Sequence, residues 1–284
     1  TTRLVLVGDP DQIPSVSPGS VLAGLLASGV CPHYRLTRIF RQQRDSLIVE
    51  NAHRILEGQR PKLPDRGDRE SDFYFFTAEE PEAAADLLVD VVSRRIPETF
   101  GLDWTRDVQV IAPMYRGACG VDALNVRLRD AQGIGGKEIR RGDRIWRTGD
   151  RVIHTRNDYE REVFNGDMGR IVRVFDDGSL VVEFEGRSPL EYSSGQLSDL
   201  QPAFAITVHR SQGSEYPCVV LPLSMQHWMM LQRHLLYTAV TRARRLVVLV
   251  GSPRALDTCL ANAEQRGRES ALADRLRALA ANRS

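Results

Sequence analysis

One interruption in an otherwise regular pattern constrains the fold of this chain most. Short apolar runs alternate with helical spacing at both ends, and between them lies a stretch with a different texture. Leu4–Gly8, Phe73–Phe76, Val108–Ala112, Val219–Leu223 and Leu246–Gly251 read as strands, the first as a buried strand ending in Gly8-Asp9. Helical spacing fills the intervals: Leu47/Ile48, Ala52 and Ile55/Leu56 ending near Gly58, then Pro81–Ile96, a helix carrying Val121, Leu124 and Leu128, one around Gln232–Val240, and helices after Pro253. The last, Glu269–Ala281, sets Leu272, Leu276 and Leu279 on one stripe. Residues 59–72 are rich in Pro, Gly, Asp and Arg and read as a loop. Alternation of this kind predicts an α/β fold, a parallel sheet covered by helices. From about residue 143 the helices stop. Arg151–Thr155, Gly169–Phe175, Leu180–Phe184 and Leu190–Tyr192 follow as short strands, with Asn165-Gly166 and Asp177-Gly178 as turn signals. Such a module of about 60 residues is too small to hold a comfortable core alone. It therefore reads as an insertion into the α/β domain, with Phe164, Phe175, Phe184 and Tyr192 as its core aromatics.

Composition narrows the function classes. The formal net charge of +1 excludes a polycation, so nucleic-acid binding would need a local groove. Lys62 and Lys137 are the only lysines among 38 Lys+Arg, and the arginines are spread throughout, which points to base-composition bias. Cys31, Cys119, Cys218 and Cys259 lie far apart with no C-x-x-C pair, so free thiols and a cytoplasmic setting are expected rather than a zinc site. No run of about 18 apolar residues predicts a membrane span, and Leu4-Val5-Leu6-Val7 has no basic region before it, unlike a signal peptide. The abrupt start suggests a chain cut from something longer. Gly136-Lys137 resembles the end of a phosphate-binding loop, but Ala131 and Glu138 break G-x-x-x-x-G-K-[ST] at two required places.

Four segments carry candidate chemistry. Leu4-Val-Leu-Val-Gly8-Asp9-Pro-Asp-Gln12-Ile-Pro-Ser-Val-Ser-Pro-Gly19 delivers an Asp and a Gln at the carboxyl end of a strand, where α/β sheets bind ligands. Gln12 can orient a water or sense a terminal phosphate, and the segment can equally be a strand and a turn. Leu36-Thr-Arg-Ile-Phe40-Arg41-Gln42 offers a guanidinium fork or merely a helix-surface charge. Ala205-Ile-Thr207-Val-His209-Arg-Ser-Gln212-Gly213-Ser-Glu215-Tyr runs from a strand into a turn able to present backbone N–H groups to phosphate. Leu236-Tyr237-Thr-Ala-Val-Thr241-Arg242-Ala243-Arg-Arg245 places an Arg at a helix end beside a sheet edge, suited to an arginine finger.

In order and interval these segments resemble motifs III, IV, V and VI of superfamily 1 helicases. "GDPDQIPSVSPG", "TVHRSQGSE" and "YTAVTRARR" resemble the RecD and TraA-like branch, superfamily 1B. Asp150–Asn157 with Phe164–Gly169 further resembles RecD-like helicases that work without RecB and RecC. The resemblance spans essentially the whole chain. It implies an α/β fold with a RecA-like parallel-sheet motor domain and an inserted small SH3-like β-barrel. The implied division is 1–33 as the tail of a first motor domain, 34–142 and 203–284 as the second, and 143–202 as the barrel. It implies the C-terminal half of an ATP-dependent 5′ to 3′ DNA helicase, with ATP and Mg²⁺ as cofactors. The P-loop and the metal ligands would lie in the N-terminal half of the same protein, so these 284 residues alone would not hydrolyse ATP.

Roles follow motif by motif. Gln12 resembles the Gln that reads the γ-phosphate, Arg41 the motif IV Arg and Arg242 the motif VI finger; Gly213 and Glu215 sit where motif V meets the nucleotide. Thr207, His209, Tyr115 and Arg116 sit where the second motor domain touches the DNA backbone. Arg210 stands where the family usually has Lys. The loop Ile13–Pro18 has no aromatic residue, in keeping with the 5′ to 3′ branch. Implied partners are single-stranded DNA and single-strand/duplex junctions, with no membrane, for a monomeric bacterial cytoplasmic protein. Two other readings compete: a helicase-like DNA-binding scaffold that does not turn over, and a peptide-binding role for the β module. Within that module Arg156, Arg161, Arg170 and Arg173 are either a DNA grip or a solvated surface.

Overall fold

The computed structural model describes residues 4–14, 19–36, 46–65, 67–68, 70–133, 135–142, 144–263 and 270–281. In chain order the helices and strands are α1 (Val21–Ser28), α2 (Leu47–Leu56), β1 (Phe73–Thr77), α3 (Pro81–Asp90), α4 (Ile96–Phe100), β2 (Val108–Ala112), α5 (Val121–Ala131), β3 (Glu138–Arg141) and β4 (Arg144–Arg147). Then come β5 (Arg151–His154), β6 (Met168–Val174), β7 (Leu180–Phe184), β8 (Leu190–Tyr192), β9 (Leu200–Pro202), β10 (Ala205–Thr207), β11 (Tyr216–Leu223), α6 (Arg233–Val240), β12 (Ala243–Gly251), α7 (Pro253–Ala261) and α8 (Leu272–Ala281).

Five strands make one parallel sheet in the order β1-β12-β11-β2-β10. Its strands are nearly continuous apolar runs because both faces are covered. One face packs Val219, Leu221, Val247 and Leu249 against α2, α6 and α7. The other packs Val110, Val220, Val248 and Val250 against α3 and α5. Between β2 and β10 the chain leaves to build the antiparallel sheet β8-β7-β6-β5-β9. That unit has its own core of Val152, Ile171, Leu180, Val182, Phe184, Tyr192 and Leu200. The hairpin β3–β4 adds Trp146, 1% exposed, to this core. Two contacts, the first of them buried, tie the barrel to β2 and the turn ahead of it. Arg151 Nη1 donates to Val108 O at 2.6 Å and Nη2 to Gln109 Oε1 at 2.9 Å. Arg170 Nη2 donates to Thr105 O at 2.9 Å and Oγ1 at 2.7 Å.

Three sequence expectations are corrected here. Residues 4–8 form no strand, and Leu4, Val5 and Val7 are over 80% exposed. A strand needs a neighbour to hydrogen-bond with, and among the described residues none pairs with this run. Helix Pro81–Ile96 continues to Phe100 through a π turn at Val91–Arg95. Pro97 has no N–H and its ring crowds the preceding turn. Widening the helix just ahead of it relieves the clash, and Gly101 then ends the helix. Phe164 is not a core aromatic. It is 37% exposed, edge-on to Tyr159 and beneath the Arg187 guanidinium. Phe175 is half-buried, whereas Phe184 and Tyr192 are buried. Helix α8 packs along α1, with Leu272 over Gly24 and Arg277 donating to Ala27 O at 2.6 Å.

Candidate nucleotide and nucleic-acid site

The turn after residue 8 is built by its own carboxylate. Asp9 Oδ1 accepts the Asp11 N–H at 2.9 Å, a side-chain turn that brings Gln12 back over Asp9. Gln12 Nε2 donates to Asp9 Oδ2 at 3.1 Å. The turn is then fastened to residues about two hundred or more positions away. The Ile13 N–H donates to Thr238 Oγ1 at 2.9 Å, His234 Nδ1 to Asp11 O at 2.7 Å, and Gln212 Nε2 to Ile13 O at 2.7 Å. Ile13 itself is buried in the core beneath α6.

Helix α6 supplies the opposing side. Leu235 through Val240 are all buried, so its polar members need internal partners. Thr238 caps the turn as above, and the Tyr237 hydroxyl donates to Asp9 Oδ2 at 2.9 Å. Burial, and after it the charge of Asp9, pushes the Tyr237 phenol above its ordinary range. Arg242 follows the helix and is only 8% exposed. Its Nε donates to Thr238 O at 3.2 Å and Nη1 to Ser214 O at 3.3 Å. Its Nη2 donates to Gln12 Oε1 at 2.9 Å.

The turn between β10 and β11 completes the cluster. Gly213 adopts φ +82°, a conformation that L side chains rarely reach, and is exposed beside Ser214. Glu215 accepts from Arg244 Nε at 2.9 Å. Gln12, Arg242, Gly213 and Glu215 are thus brought to one place. Arg41 lies outside the described residues.

The four residues expected at DNA leave one sheet edge but differ in accessibility. In the parallel pair β2–β10, Thr207 stands beside Ala112, so residues 113–116 and 208–210 emerge next to each other. Tyr115 is 42% exposed, and Arg116 is exposed. Their loop caps α5: Val121 N–H donates to Met114 O at 3.0 Å and Asp122 N–H to Tyr115 O at 3.1 Å. His209 is half-buried. Thr207 is buried, and its hydroxyl accepts the Arg210 N–H at 3.3 Å. Its side chain shapes the turn from within.

Sequence reasoning assigned no role to Tyr237, Thr238, His234 or Gln212, which hold the turn. The signal available was two hydroxyl residues inside a helix otherwise made for burial.

Comparison with known proteins gives the family and the fold. Family profiles match three stretches: an AAA domain over residues 1–71, an ATP-dependent RecD-like DNA helicase SH3 domain over 123–184, and a UvrD-like helicase C-terminal domain over 202–250. The ATP-dependent RecD2 DNA helicase of Deinococcus radiodurans is 37% identical over 278 residues, covering 97% of this chain and 36% of that protein. The chain belongs to the RecD-like helicases. Another RecD-like relative, the RecBCD enzyme subunit RecD of Mycolicibacterium smegmatis, is 30% identical over 88% of the chain and 45% of its own length. The conjugal transfer protein TraA of Agrobacterium fabrum is 26% identical over 85% of the chain. This RecD-like chain therefore spans less than half the length of these relatives. A crystal structure of Pif1 helicase from Bacteroides in complex with ADP-AlF3 and ssDNA shares the fold, with TM-score 0.55 and 19% identity over 96% of the chain and 66% of the Pif1 chain.

Proposed function

We propose that this chain is the C-terminal part of an ATP-driven helicase that moves 5′ to 3′ along single-stranded DNA and opens duplex at junctions. The observation that carries the reading is the pairing of Gln12 with Arg242 across 230 positions of sequence. A buried guanidinium and an amide meet beside an open glycine turn. These residues fit the terminal-phosphate end of a nucleotide: fork donors for its oxygens, an amide to read its presence, and backbone N–H groups at Gly213. ATP with Mg²⁺ supplies the phosphoryl-transfer chemistry when bound. The 284 residues hold no G-x-x-x-x-G-K-[ST] sequence, so the P-loop and the metal ligands belong to another part of the longer protein. The names of the RecD-like relatives support an ATP-dependent DNA helicase.

In this reading residues 1–33 close a first motor domain, 34–142 and 203–284 form the second, and 143–202 are the inserted barrel. Arg41 completes the phosphate side. His209, Tyr115 and Arg116 contact the DNA backbone, and Thr207 holds their edge in shape. The bound structure of Pif1 supports single-stranded DNA as the track. The protein acts as a monomer in the bacterial cytoplasm. Phosphate contacts predominate, so affinity falls steeply with salt and depends little on base sequence.

The test uses full-length protein on duplexes carrying either a 5′ or a 3′ single-stranded tail. The 5′-tailed duplex is expected to open with ATP hydrolysis. Opening of the 3′-tailed duplex alone, or no hydrolysis with either, overturns the proposal.

A further inference from the structure

Asp9 and Tyr237 close a ring with the two residues on which the proposed phosphate site depends. The turn contributes Asp9 and Gln12; α6 and the residues following it contribute Tyr237 and Arg242. Tyr237 O–H donates to Asp9 Oδ2 at 2.9 Å, Gln12 Nε2 donates to the same oxygen at 3.1 Å, and Arg242 Nη2 donates to Gln12 Oε1 at 2.9 Å. The other Asp9 oxygen is occupied by the Asp11 N–H.

The chemistry of the ring fixes one orientation of the amide. An ionised carboxylate only accepts, and a guanidinium only donates. With its NH₂ on Asp9 and its carbonyl on Arg242, Gln12 satisfies both neighbours. Turned over, it sets oxygen against oxygen at Asp9 and donor against donor at Arg242. Tyr237 keeps the carboxylate in place, because α6 is buried along this stretch and the phenol cannot follow a shifted Asp9. We propose that Asp9 and Tyr237 are positioning residues, which hold the Gln12 amide with its carbonyl toward Arg242. The proposal rests on the reading that Gln12 and Arg242 serve the phosphate. It adds that how well they do so is set by two groups that touch neither nucleotide nor DNA.

The experiment measures ATP hydrolysis by the full-length protein with saturating single-stranded DNA, as kcat and KM, together with hydrogen exchange of the α6 amides. Tyr237→Phe keeps the ring and removes one donor. It is expected to lower kcat roughly tenfold, about the value of one hydrogen bond to a charged group, with KM for ATP little changed. Asp9→Asn cannot accept from all three donors and is expected to lower kcat at least as far. In single-turnover measurements, Tyr237→Phe added to Gln12→Ala is expected to cost nothing further, because no amide is left to orient. α6 exchange is expected to stay as in wild type. Wild-type kcat in both single variants overturns the proposal. So does a Tyr237→Phe loss undiminished in the Gln12→Ala background, or one matched by faster exchange in α6. If Gln12→Ala and Arg242→Ala themselves hydrolyse normally, the phosphate-site reading has failed. If they are slow while Tyr237→Phe and Asp9→Asn are both normal, only the positioning role has.

Discussion

Arg242 and Arg151 are buried to the same degree, each 8% exposed, yet they are held in different ways. Arg151 joins the barrel to the parallel sheet through partners that cannot leave. One is the Val108 carbonyl in the main chain of β2; the other is Gln109, whose amide is itself shared among the carbonyls of Val110, Ala203 and Phe204. Burial draws its pKa down to about 10, still far above neutrality, so it stays charged. Arg242 also donates to main-chain carbonyls, Thr238 O and Ser214 O, but its third contact is a half-buried side chain, Gln12, beside an open glycine turn. Burial of a guanidinium alone therefore does not tell a joint between two units from a contact beside an open turn. Three other barrel arginines have partners within the chain without being buried. Arg161 lies over the Tyr192 ring, Arg156 faces Asp199 at 3.4 Å, and Arg170 is bound to Thr105.

If Arg151 is a joint, Arg151→Met should loosen the two units where they meet. It leaves Val108 O and Gln109 Oε1 buried without this donor, at about 3 kcal/mol for a charged hydrogen bond and the groups it strands. Amides of β2 and β5 in the full-length protein should then exchange roughly a hundredfold faster. Unchanged exchange would mean that the contact joins nothing.

Asp150, one residue before that joint, gives a smaller effect with a definite pH dependence. Burial raises its carboxyl from 3.8 to about 6. Between those values the folded barrel keeps a proton that the unfolded chain releases. The contribution of this carboxyl to stability is therefore greatest below about pH 4, falls as pH rises to about 6, and is flat above, a change on the order of 2 kcal/mol. Asp150→Asn should abolish the slope and leave the barrel more stable at pH 7, read from exchange in β5 and β6 corrected for intrinsic rates. A slope that persists in the variant would place its origin elsewhere.

The exposed pair Arg60–Asp257 marks the low end of the comparison. Both side chains are largely in water, so Arg60→Ala should leave the melting temperature within error. A clear drop would show that surface arginines also carry structural weight here.

Much of this was readable from sequence, for identifiable reasons. The parallel strands were legible because burial on both faces demands unbroken apolar runs such as Leu246–Val250. The barrel was legible because its turns use Asn165-Gly166 and Asp177-Gly178. The same logic failed at Leu4–Val7, where an apolar run carries the strand pattern but its neighbours are not among the described residues. At Phe164 an aromatic side chain was read as core, but it lies outside the strands, where no sheet fixes its facing. In the site, Gln12 and Arg242 were candidates from their residue types, and resemblance assigned them to motifs. Tyr237 and Asp9 stood in the same quoted segments without a role, because a hydrogen bond linking residues 228 positions apart leaves no local trace.

In the proposed function Arg242 acts on phosphoryl transfer. Charge spreads over the transferring group as the leaving bond breaks, and a guanidinium there favours the transition state over bound ATP. The most direct measurement is single-turnover hydrolysis and nucleotide-analogue affinity on one variant of the full-length protein, Arg242→Ala, with Arg242→Lys beside it. The expected outcome is a rate at least about a hundredfold lower, analogue affinity far less affected, DNA binding retained, and poor rescue by Lys, which keeps the charge and loses the fork. A near-normal rate in Arg242→Ala would contradict it and leave Arg242, like Arg151, a structural joint.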